Sequence, residues 1–403
     1  SSYAGVISGV GGSIVKAGTA SLTLSGANTF TGGTAINAGT VKAGISSTGS
    51  VTNGAFGTGA VTVASGSTLD LNGFTVANAL NIAGTGDASN GALYNSSSSA
   101  GSAAGAITLA ANATIKTVGA MTLGAINGAF ALTANTTSTG ALTFAGAVGG
   151  STNLTGLTTS ASAGSAGVVI SGGAITTTGD LSIGNAITLG ASTTLTSGNT
   201  LTLGAAITGA GYGLTVTNNA VISAALSGLS SLSIGGTTSL GGNVTTTGAQ
   251  TYTGAVTLTG ADRTLTSSSN GAINLPAING VFGLTISNGS GAITLGAIGG
   301  TTPLTSLTLQ GTGLNTLNGD INTSGAVDLK GTSRQNAFAA NRTITTTNSS
   351  ANGNITLGTT NSAYSLTLNP GSGSVSLAAV GVTGNGQTGV PLASLTITGT
   401  GSN

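Results

Sequence analysis

The sequence predicts an all-β protein, a parallel β-helix or β-solenoid with almost no α-helix. Short runs of alternating apolar and polar residues recur along the 403 residues. Gly, Asn and Ser separate these runs about every 8 to 12 residues, and no segment has apolar residues at helical spacing. Longer segments of the chain repeat as well, which is typical of stacked turns.

Composition excludes several classes of function. The chain has 7 Lys and Arg, 6 acidic residues, no His and no Cys, and its net charge is +1. With no basic patch, we expect no contact with nucleic acid or an anionic membrane. No apolar run reaches the roughly 18 to 20 residues of a membrane span. The absence of Cys suits a chain that crosses membranes before it folds.

Strands are predicted wherever two apolar residues flank a polar one. Each such strand has one apolar face. They occur along the whole chain, at 22–24, 61–63, 69–71, 201–203, 214–216, 284–286 and 366–368.

Internal repeats organise the chain on a longer scale. Residues 176–216 match 245–286, an offset of about 70 residues, or three to four turns of about 20 residues. Residues 126–150 likewise match 278–300. The segment PLTSLTL that begins at Pro303 returns as PLASLTI at Pro391.

We therefore predict one continuous β-solenoid over 1–403, with degenerate longer repeats over 126–403. Stacked turns about 4.8 Å apart would form a rod on the order of 100 Å long. We expect Leu, Ile and Val inside, and Ser, Thr and Asn at outward positions and corners.

The N-terminal part resembles a known repeat family. The segment LTLSGANTFTGGTAINAGTVK, residues 22–42, is similar to the autotransporter-associated β-strand repeat of bacterial surface proteins, and FGTGAVTVASGSTLDLNGFTVANALNIAGTG continues that style over 56–86. The compact match covers 12–86. The segment TTTGAQTYTGAVTL, 245–258, resembles repeats of filamentous-haemagglutinin-like exoproteins. This resemblance implies a right-handed β-helix that is exported through an outer-membrane β-barrel. The chain shows neither such a barrel nor a secretion domain, so the export route stays open.

Acid–base catalysis needs paired titratable groups, and the sequence offers few. The densest charged segment contains Asp320, Asp328, Lys330 and Arg334. We expect these residues to form solvated surface pairs, and we predict no catalytic residue. The candidates considered are the six aspartates, Asp70, Asp87, Asp180, Asp262, Asp320 and Asp328.

Comparison of the repeats supports the structural interpretation of these charges. Asp180 aligns with Ala249 in the next copy, and the neighbours Asp262 and Arg263 align with the uncharged residues 190–194. A single active site need not recur in every repeat, so a polysaccharide-binding or polysaccharide-degrading β-helix stays open as an alternative.

Metal and cofactor sites are not expected. The segment 84–87, GTGD, occurs once and reads as a turn, whereas calcium-binding β-rolls need tandem copies. The glycine pairs at 149–150 and 299–300 lack the Lys and the helix of a phosphate loop, so they are interpreted as corners.

Threonine and tyrosine residues suggest two possible surface functions. Thr-rich strands resemble ice-binding solenoids, but Ser, Asn and Ala interrupt the Thr pattern, so ice binding is a lesser alternative. The tyrosines are too far apart in sequence for an obvious sugar-stacking platform. They are Tyr3, Tyr94, Tyr212, Tyr252 and Tyr364.

The leading interpretation is a structural protein at the bacterial cell surface or outside the cell. It would serve as an adhesin stalk or as a filament of a biofilm or sheath, with no enzymatic activity. Low surface charge gives little repulsion between copies of the chain, which favours self-association. Strand patterns that run close to both ends of the sequence suggest either that the rod continues in a longer parent chain or that its ends pair head-to-tail with further copies. The expected partners are further copies of the chain, an outer-membrane exporter, and a host surface, an abiotic surface or a polysaccharide.

Overall fold

The computed structural model describes residues 1–47, 49–137, 139–162, 164–347, 353–381 and 390–399. The chain divides into two compact units, Ser1–Thr208 and Gly209–Asn403. In both units short strands pair in parallel with strands of the neighbouring turn. Both units are therefore parallel β-solenoids, and the predicted fold class is confirmed. The helical structure described is one short 3₁₀ helix, Asp87–Ser89.

The first unit contains the strands up to Thr208. They are β1 (Ser2–Tyr3), β2 (Ile14–Lys16), β3 (Leu22–Leu24), β4 (Thr34–Ile36), β5 (Gly39–Ala43), β6 (Val61–Val63), β7 (Ser67–Asp70), β8 (Thr75–Val76), β9 (Leu80–Gly84), β10 (Leu93–Asn95), β11 (Gly101–Ala103), β12 (Ile107–Thr117), β13 (Met121–Leu123), β14 (Ile126–Asn127), β15 (Ala131–Thr136), β16 (Leu142–Phe144), β17 (Gly156–Ala161), β18 (Val168–Ile170), β19 (Ala174–Thr176), β20 (Leu181–Ile183), β21 (Ile187–Leu189), β22 (Thr193–Thr196), β23 (Leu201–Leu203) and β24 (Ile207–Thr208).

The second unit continues the numbering. Its strands are β25 (Leu214–Val216), β26 (Ala220–Ile222), β27 (Leu226–Leu229), β28 (Leu232–Ile234), β29 (Thr238–Leu240), β30 (Val244–Thr246), β31 (Gln250–Tyr252), β32 (Val256–Leu258), β33 (Arg263–Ser267), β34 (Ile273–Asn279), β35 (Leu284–Ser287), β36 (Ile293–Ile298), β37 (Leu307–Gln310), β38 (Leu314–Leu317), β39 (Ile321–Thr323), β40 (Val327–Asp328), β41 (Gln335–Phe338), β42 (Arg342–Thr346), β43 (Ile355–Leu357), β44 (Thr359–Thr360), β45 (Leu366–Asn369), β46 (Val375–Leu377) and β47 (Leu395–Ile397).

A turn contains three strands, one on each of three faces. In the first unit β19, β20 and β21 make one turn, and β22, β23 and β24 make the next. Leu181 lies beside Leu201, a spacing of 20 residues. In the second unit Leu214 lies beside Leu232, a spacing of 18 residues. Two faces merge where a strand continues around a corner, as β12 does when it pairs with both β14 and β15.

The core of each unit consists of columns of apolar residues that point inward. Leu157, Leu181 and Leu201 stack on consecutive turns of the first unit, and all three are buried. Each leucine that is removed from water in this way stabilises the fold by about 1.5–3 kcal/mol. The alternating sequence pattern predicted these inward positions.

The interior also holds polar residues, which corrects the expectation that Ser, Thr and Asn lie outward and at corners. Thr246 is 1% exposed, and its hydroxyl donates to the carbonyl oxygen of Gly248 at 2.6 Å. This bond satisfies a backbone acceptor where the chain turns a corner. The same contact joins Thr177 to Gly179 at 2.9 Å and Thr323 to Gly325 at 2.6 Å. The Thr-x-Gly pattern, visible in the repeated TTTG segments, is therefore an inward-facing corner.

The matching segments 126–150 and 278–300 share two local features, an amide bridge and a glycine corner. The Asn127 side chain accepts the backbone N–H of Ser151 at 2.9 Å, and Asn279 accepts that of Thr301 at 3.0 Å. Each segment ends on a bend at its glycine pair, as predicted, and the first glycine of each pair has a positive φ. The repeat therefore encodes a strand, an amide bridge to the next turn and a glycine corner.

Candidate functional site

Four of the six aspartates, Asp70 among them, accept a backbone N–H group of the next turn. The carboxylate of Asp180 accepts the backbone N–H of Thr200 at 3.2 Å, and that of Asp262 accepts the N–H of Gly283 at 2.7 Å. Asp320 accepts the N–H of Thr343 at 2.9 Å. Asparagines make the same bond at other turns, and a neutral amide oxygen is therefore sufficient for this role.

The two predicted surface charge clusters do not form. Arg263 donates to the backbone oxygens of Thr259 and Asp262, while the Asp262 carboxylate contacts Gly283. Asp328 accepts the backbone N–H of Lys330 at 2.9 Å. Within the described residues neither pair forms a salt bridge. Backbone carbonyls and N–H groups at the turns are nearer partners than the opposite charges, so the predicted surface pairing is wrong.

Arg334, the fourth residue of the predicted charged segment, lies inside the second unit and is fully buried. Its Nε donates to Asn315 Oδ1 at 2.5 Å, and its Nη1 donates to Asn288 Oδ1 at 3.1 Å. The guanidinium also donates to backbone carbonyls, at 3.0 Å to Gln310 and 2.9 Å to Gly291. A buried cation is thus held entirely by neutral oxygen acceptors.

Burial lowers the pKa of Arg334 to about 10, because desolvation disfavours the charged form. The group therefore stays charged at neutral pH. No sequence pattern indicated this arrangement, since arginines are rarely buried unless they are paired.

A charged ladder lies on the surface of the first unit and brings together residues that are far apart in sequence. Its members are Lys42, Asp70, Tyr94 and Lys116, which occupy matching positions on β5, β7, β10 and β12. Adjacent strands lie about 4.8 Å apart, so the ladder extends over about 14 Å. The tyrosine predicted to be isolated lies here between a carboxylate and an ammonium group.

Asp70 anchors the charged ladder. It is 1% exposed, and its Oδ2 lies 3.0 Å from Lys42 Nζ. Oδ2 also accepts the Ser96 hydroxyl at 2.7 Å, and Oδ1 accepts the backbone N–H groups of Ser96 at 3.0 Å and Asn72 at 2.9 Å. A buried carboxylate with four donors is held rigidly, and it fixes the Lys42 ammonium in turn.

The remaining ladder residues are less constrained. Partial burial raises the pKa of Tyr94, and the nearby Asp70 carboxylate raises it further, so the phenol is neutral at physiological pH. Lys116 is half-buried next to Tyr94, and the described residues provide no hydrogen-bond or ion-pair partner for its ammonium group.

Asp87 borders the charged ladder from the side. It begins the 3₁₀ helix, so the segment 84–87 is a turn, as predicted. Its Oδ2 accepts the Thr40 hydroxyl at 3.0 Å, and its backbone N–H donates to Thr68 at 2.8 Å. Asp87 therefore contacts the strands that carry Lys42 and Asp70, although β8 and β9 separate it from Asp70 in the sequence.

Surface clefts elsewhere contain few ionisable groups. A cleft of about 380 Å³ in the second unit is lined by Asn274, Pro276 and Asn318, above the buried ring of Tyr252. Burial raises the pKa of that phenol well above its usual value. A cleft of about 320 Å³ in the first unit is lined by Ser, Thr, Gly, Ala, Ile and Val. Neither cleft contains a pair of acidic side chains.

In the part of the chain that the structure describes, no three Asp, Glu, His or Cys side chains lie close enough to hold a metal ion. None of the helical structure in the same residues has the length and hydrophobicity of a membrane-spanning helix. The predicted absence of catalytic, cofactor and metal sites stays a prediction.

Comparison with known proteins gives one match. Residues 14–43 match the passenger-associated-transport-repeat family, a repeat of autotransporter passengers. No curated protein and no solved structure matches the chain. The match and the parallel β-solenoid together confirm the resemblance to autotransporter β-helical passengers.

The matched residues show what this repeat builds. They contain β2 to β5, in which β2 pairs with β4 and β3 pairs with β5. Asn28 is fully buried between these strands. Its Oδ1 accepts the N–H of Ile7 at 2.8 Å, and its Nδ2 donates to the carbonyl of Ala55 at 2.7 Å. One amide thus connects three successive segments of the stack.

Proposed function

We propose that this passenger-like β-helix is a structural, non-enzymatic protein of the bacterial cell surface, as part of an adhesin stalk or fibre. The observation that supports this role most is the use of polar side chains as bridges between turns. Asp180, Asp320 and Asn127 accept backbone N–H groups of the next turn. Asn28 accepts an N–H group of the preceding turn. Carboxylates that would line a cleft in an enzyme here form hydrogen bonds between turns of the solenoid.

The passenger repeat implies a general partner, an outer-membrane exporter. A chain without Cys can cross the periplasm without forming disulfides, which supports export before folding. Only 3% of the residues are charged, so electrostatic repulsion between neighbouring molecules is weak. Weak repulsion supports fibres or bundles as the final form.

The surface location is tested by treating intact producing cells with an impermeant protease and probing with an antibody against the chain. We expect the chain to be cleaved on intact cells while a cytoplasmic marker stays whole. Protection of the chain until the cells are lysed would contradict surface display.

The fibre is tested separately, by negative-stain electron microscopy of the purified chain at neutral pH. A polymer would appear as filaments that lengthen with protein concentration. Single particles at every concentration would refute self-assembly and leave the stalk of an adhesin as the structural role. A loss of turnover of any polysaccharide upon mutation of an aspartate would contradict the non-enzymatic role.

A further inference from the structure

The charged ladder has more ionisable groups than a structural bridge between turns requires. Four of the 13 ionisable residues of the chain, Lys42, Asp70, Asp87 and Lys116, lie on or beside it, together with Tyr94. The side chains of Lys116 and Tyr94 add no described hydrogen bond between turns, unlike those of Asp180 and Asp320. Their presence calls for a different explanation from that of the other charges.

The carboxylates leave the exposed charge of the ladder positive. Asp70 is buried and accepts four donors, so little of its charge faces solvent. Asp87 is half-buried to one side and accepts the Thr40 hydroxyl. The side chain of Lys42 is 34% exposed, and the ammonium group of Lys116 has no partner among the described residues.

The spacing fits an extended ligand better than a small ion. Three strand spacings of about 4.8 Å place Lys42 and Lys116 about 14 Å apart, with the Tyr94 ring between them. A single carboxylate or phosphate cannot reach both ammonium groups. A polymer that lies across the strands can place one acidic group at each lysine and one ring against the tyrosine.

We propose that Lys42, Tyr94 and Lys116 form a binding site for an acidic polysaccharide, such as a uronic acid polymer. The two ammonium groups bind carboxylates of the polymer, and the Tyr94 ring packs against the apolar face of a sugar between them. The exposed serines at 98 and 99, next to the end of β10, supply hydroxyl groups at one side.

Nucleic acid fits this surface less well. Proteins that follow a phosphate backbone neutralise many phosphates with many Lys and Arg residues. Here the charged ladder offers only two lysines, about 14 Å apart, which are too few to neutralise a phosphate backbone. Ligand binding at this site would be a second function beside the proposed structural role, and it does not depend on that role.

The test measures binding of the full chain to polygalacturonate and to its fully methyl-esterified form by biolayer interferometry. The two polymers share the sugar ring and differ in charge. We expect binding to the acidic polymer that weakens with added salt, and at least about threefold weaker binding to the ester.

Two variants locate the site, and two further variants are controls. Lys116→Ala should weaken binding about two- to fivefold, and Tyr94→Ala about two- to tenfold. Lys330→Ala removes an exposed lysine of the second unit and should leave binding unchanged. Lys116→Arg keeps the charge and should restore most of the affinity, which separates lost binding from lost folding.

The proposal is overturned if the chain does not bind polygalacturonate or binds the ester equally well. Equal losses in Lys116→Ala and Lys330→Ala would also overturn it, because they would indicate attraction to net charge alone. Surface display and fibre formation would be unaffected by any of these results, so failure here is distinguishable from failure of the structural role.

Discussion

At the scale of single residues, the chain uses its few charged and amide side chains to satisfy backbone groups between turns. Asp320 and Asn341 illustrate this, because they precede strands of consecutive turns, and each accepts one N–H of the following turn at 2.9 and 3.0 Å. An acceptor oxygen is required at these positions, whereas its negative charge is not.

Asp320 provides a direct test of that role. Asp320→Asn should leave the protection of the Thr343 amide against hydrogen exchange unchanged. Asp320→Ala removes the acceptor and should cost about 0.5–1.5 kcal/mol, or about two- to tenfold faster exchange. Equal acceleration in both variants would show that the carboxylate charge matters after all.

Arg334 is the residue whose replacement should destabilise the second unit most. Arg334→Met leaves the side-chain oxygens of Asn288 and Asn315 and several backbone carbonyls without donors, at a cost of about 3–5 kcal/mol. The measurement is hydrogen exchange across β38. Arg342→Met is the comparison, because Arg342 is only half-buried and, among the described residues, its guanidinium donates to the backbone oxygens of Leu317 and Asn341 alone. Its replacement should cost less than about 1.5 kcal/mol.

The effect of Arg334 should not depend on pH below about 9. Its folded-state pKa, about 10, lies below the ordinary value, so the charged form carries its full desolvation cost at every pH below that value. The difference in hydrogen exchange between Arg334→Met and the unaltered chain should be equal at pH 5 and pH 8. A difference that grows between these values would mean that another titrating group controls this interior.

At the scale of elements, corners are defined by inward hydroxyls and by glycines with positive φ. Thr246→Val keeps the shape of the side chain but removes the donor to Gly248, and should cost about 1–3 kcal/mol at that corner. Thr245→Val changes the adjacent exposed residue of the same strand and should cost less than about 0.5 kcal/mol. Hydrogen exchange of the amides in β30 and β33 measures the destabilisation in both variants. Equal destabilisation would contradict the assignment of Thr246 to an inward-facing corner.

The glycine corner of the repeat makes a second element-scale prediction. Gly299 has φ 66°, and an added Cβ would overlap the carbonyl oxygen of Asn322. Gly299→Ala should therefore destabilise the turn by more than about 1–2 kcal/mol. Gly300→Ala is the control, since a Cβ there would lie 3.9 Å from Ala297 and should be tolerated. The melting temperatures of the two variants are compared by thermal unfolding monitored with circular dichroism. Equal melting temperatures would show that a side chain at Gly299 causes no backbone strain.

At the scale of the whole molecule, sequence patterns predicted the class of fold and the inward columns, as at Leu181 and Leu201. They predicted the glycine corners as well, because positive φ and crowding leave a clear residue preference. The charged ladder was not predictable, because connections of unequal length separate Lys42, Asp70 and Tyr94, and their alignment depends on strand register. The burial of Arg334 was not predictable either, because it depends on four acceptors from three separate segments.

The account depends on parallel turns that stack in register, and engineered cysteine pairs test this most directly. The chain has no native Cys, so only an introduced pair can form an intramolecular disulfide. Thr188 and Thr208 are exposed and lie side by side on adjacent turns, at a strand spacing of about 4.8 Å that a disulfide can bridge.

The control pair is Thr143→Cys with Thr188→Cys. Val169 lies between these positions, so they are two turns, or about 10 Å, apart, which is too far for a disulfide. We expect Thr188→Cys with Thr208→Cys to oxidise to an intramolecular disulfide in the folded chain, and the control pair to stay reduced. Efficient oxidation of the control pair, or none in the adjacent pair, would contradict the stacked parallel solenoid.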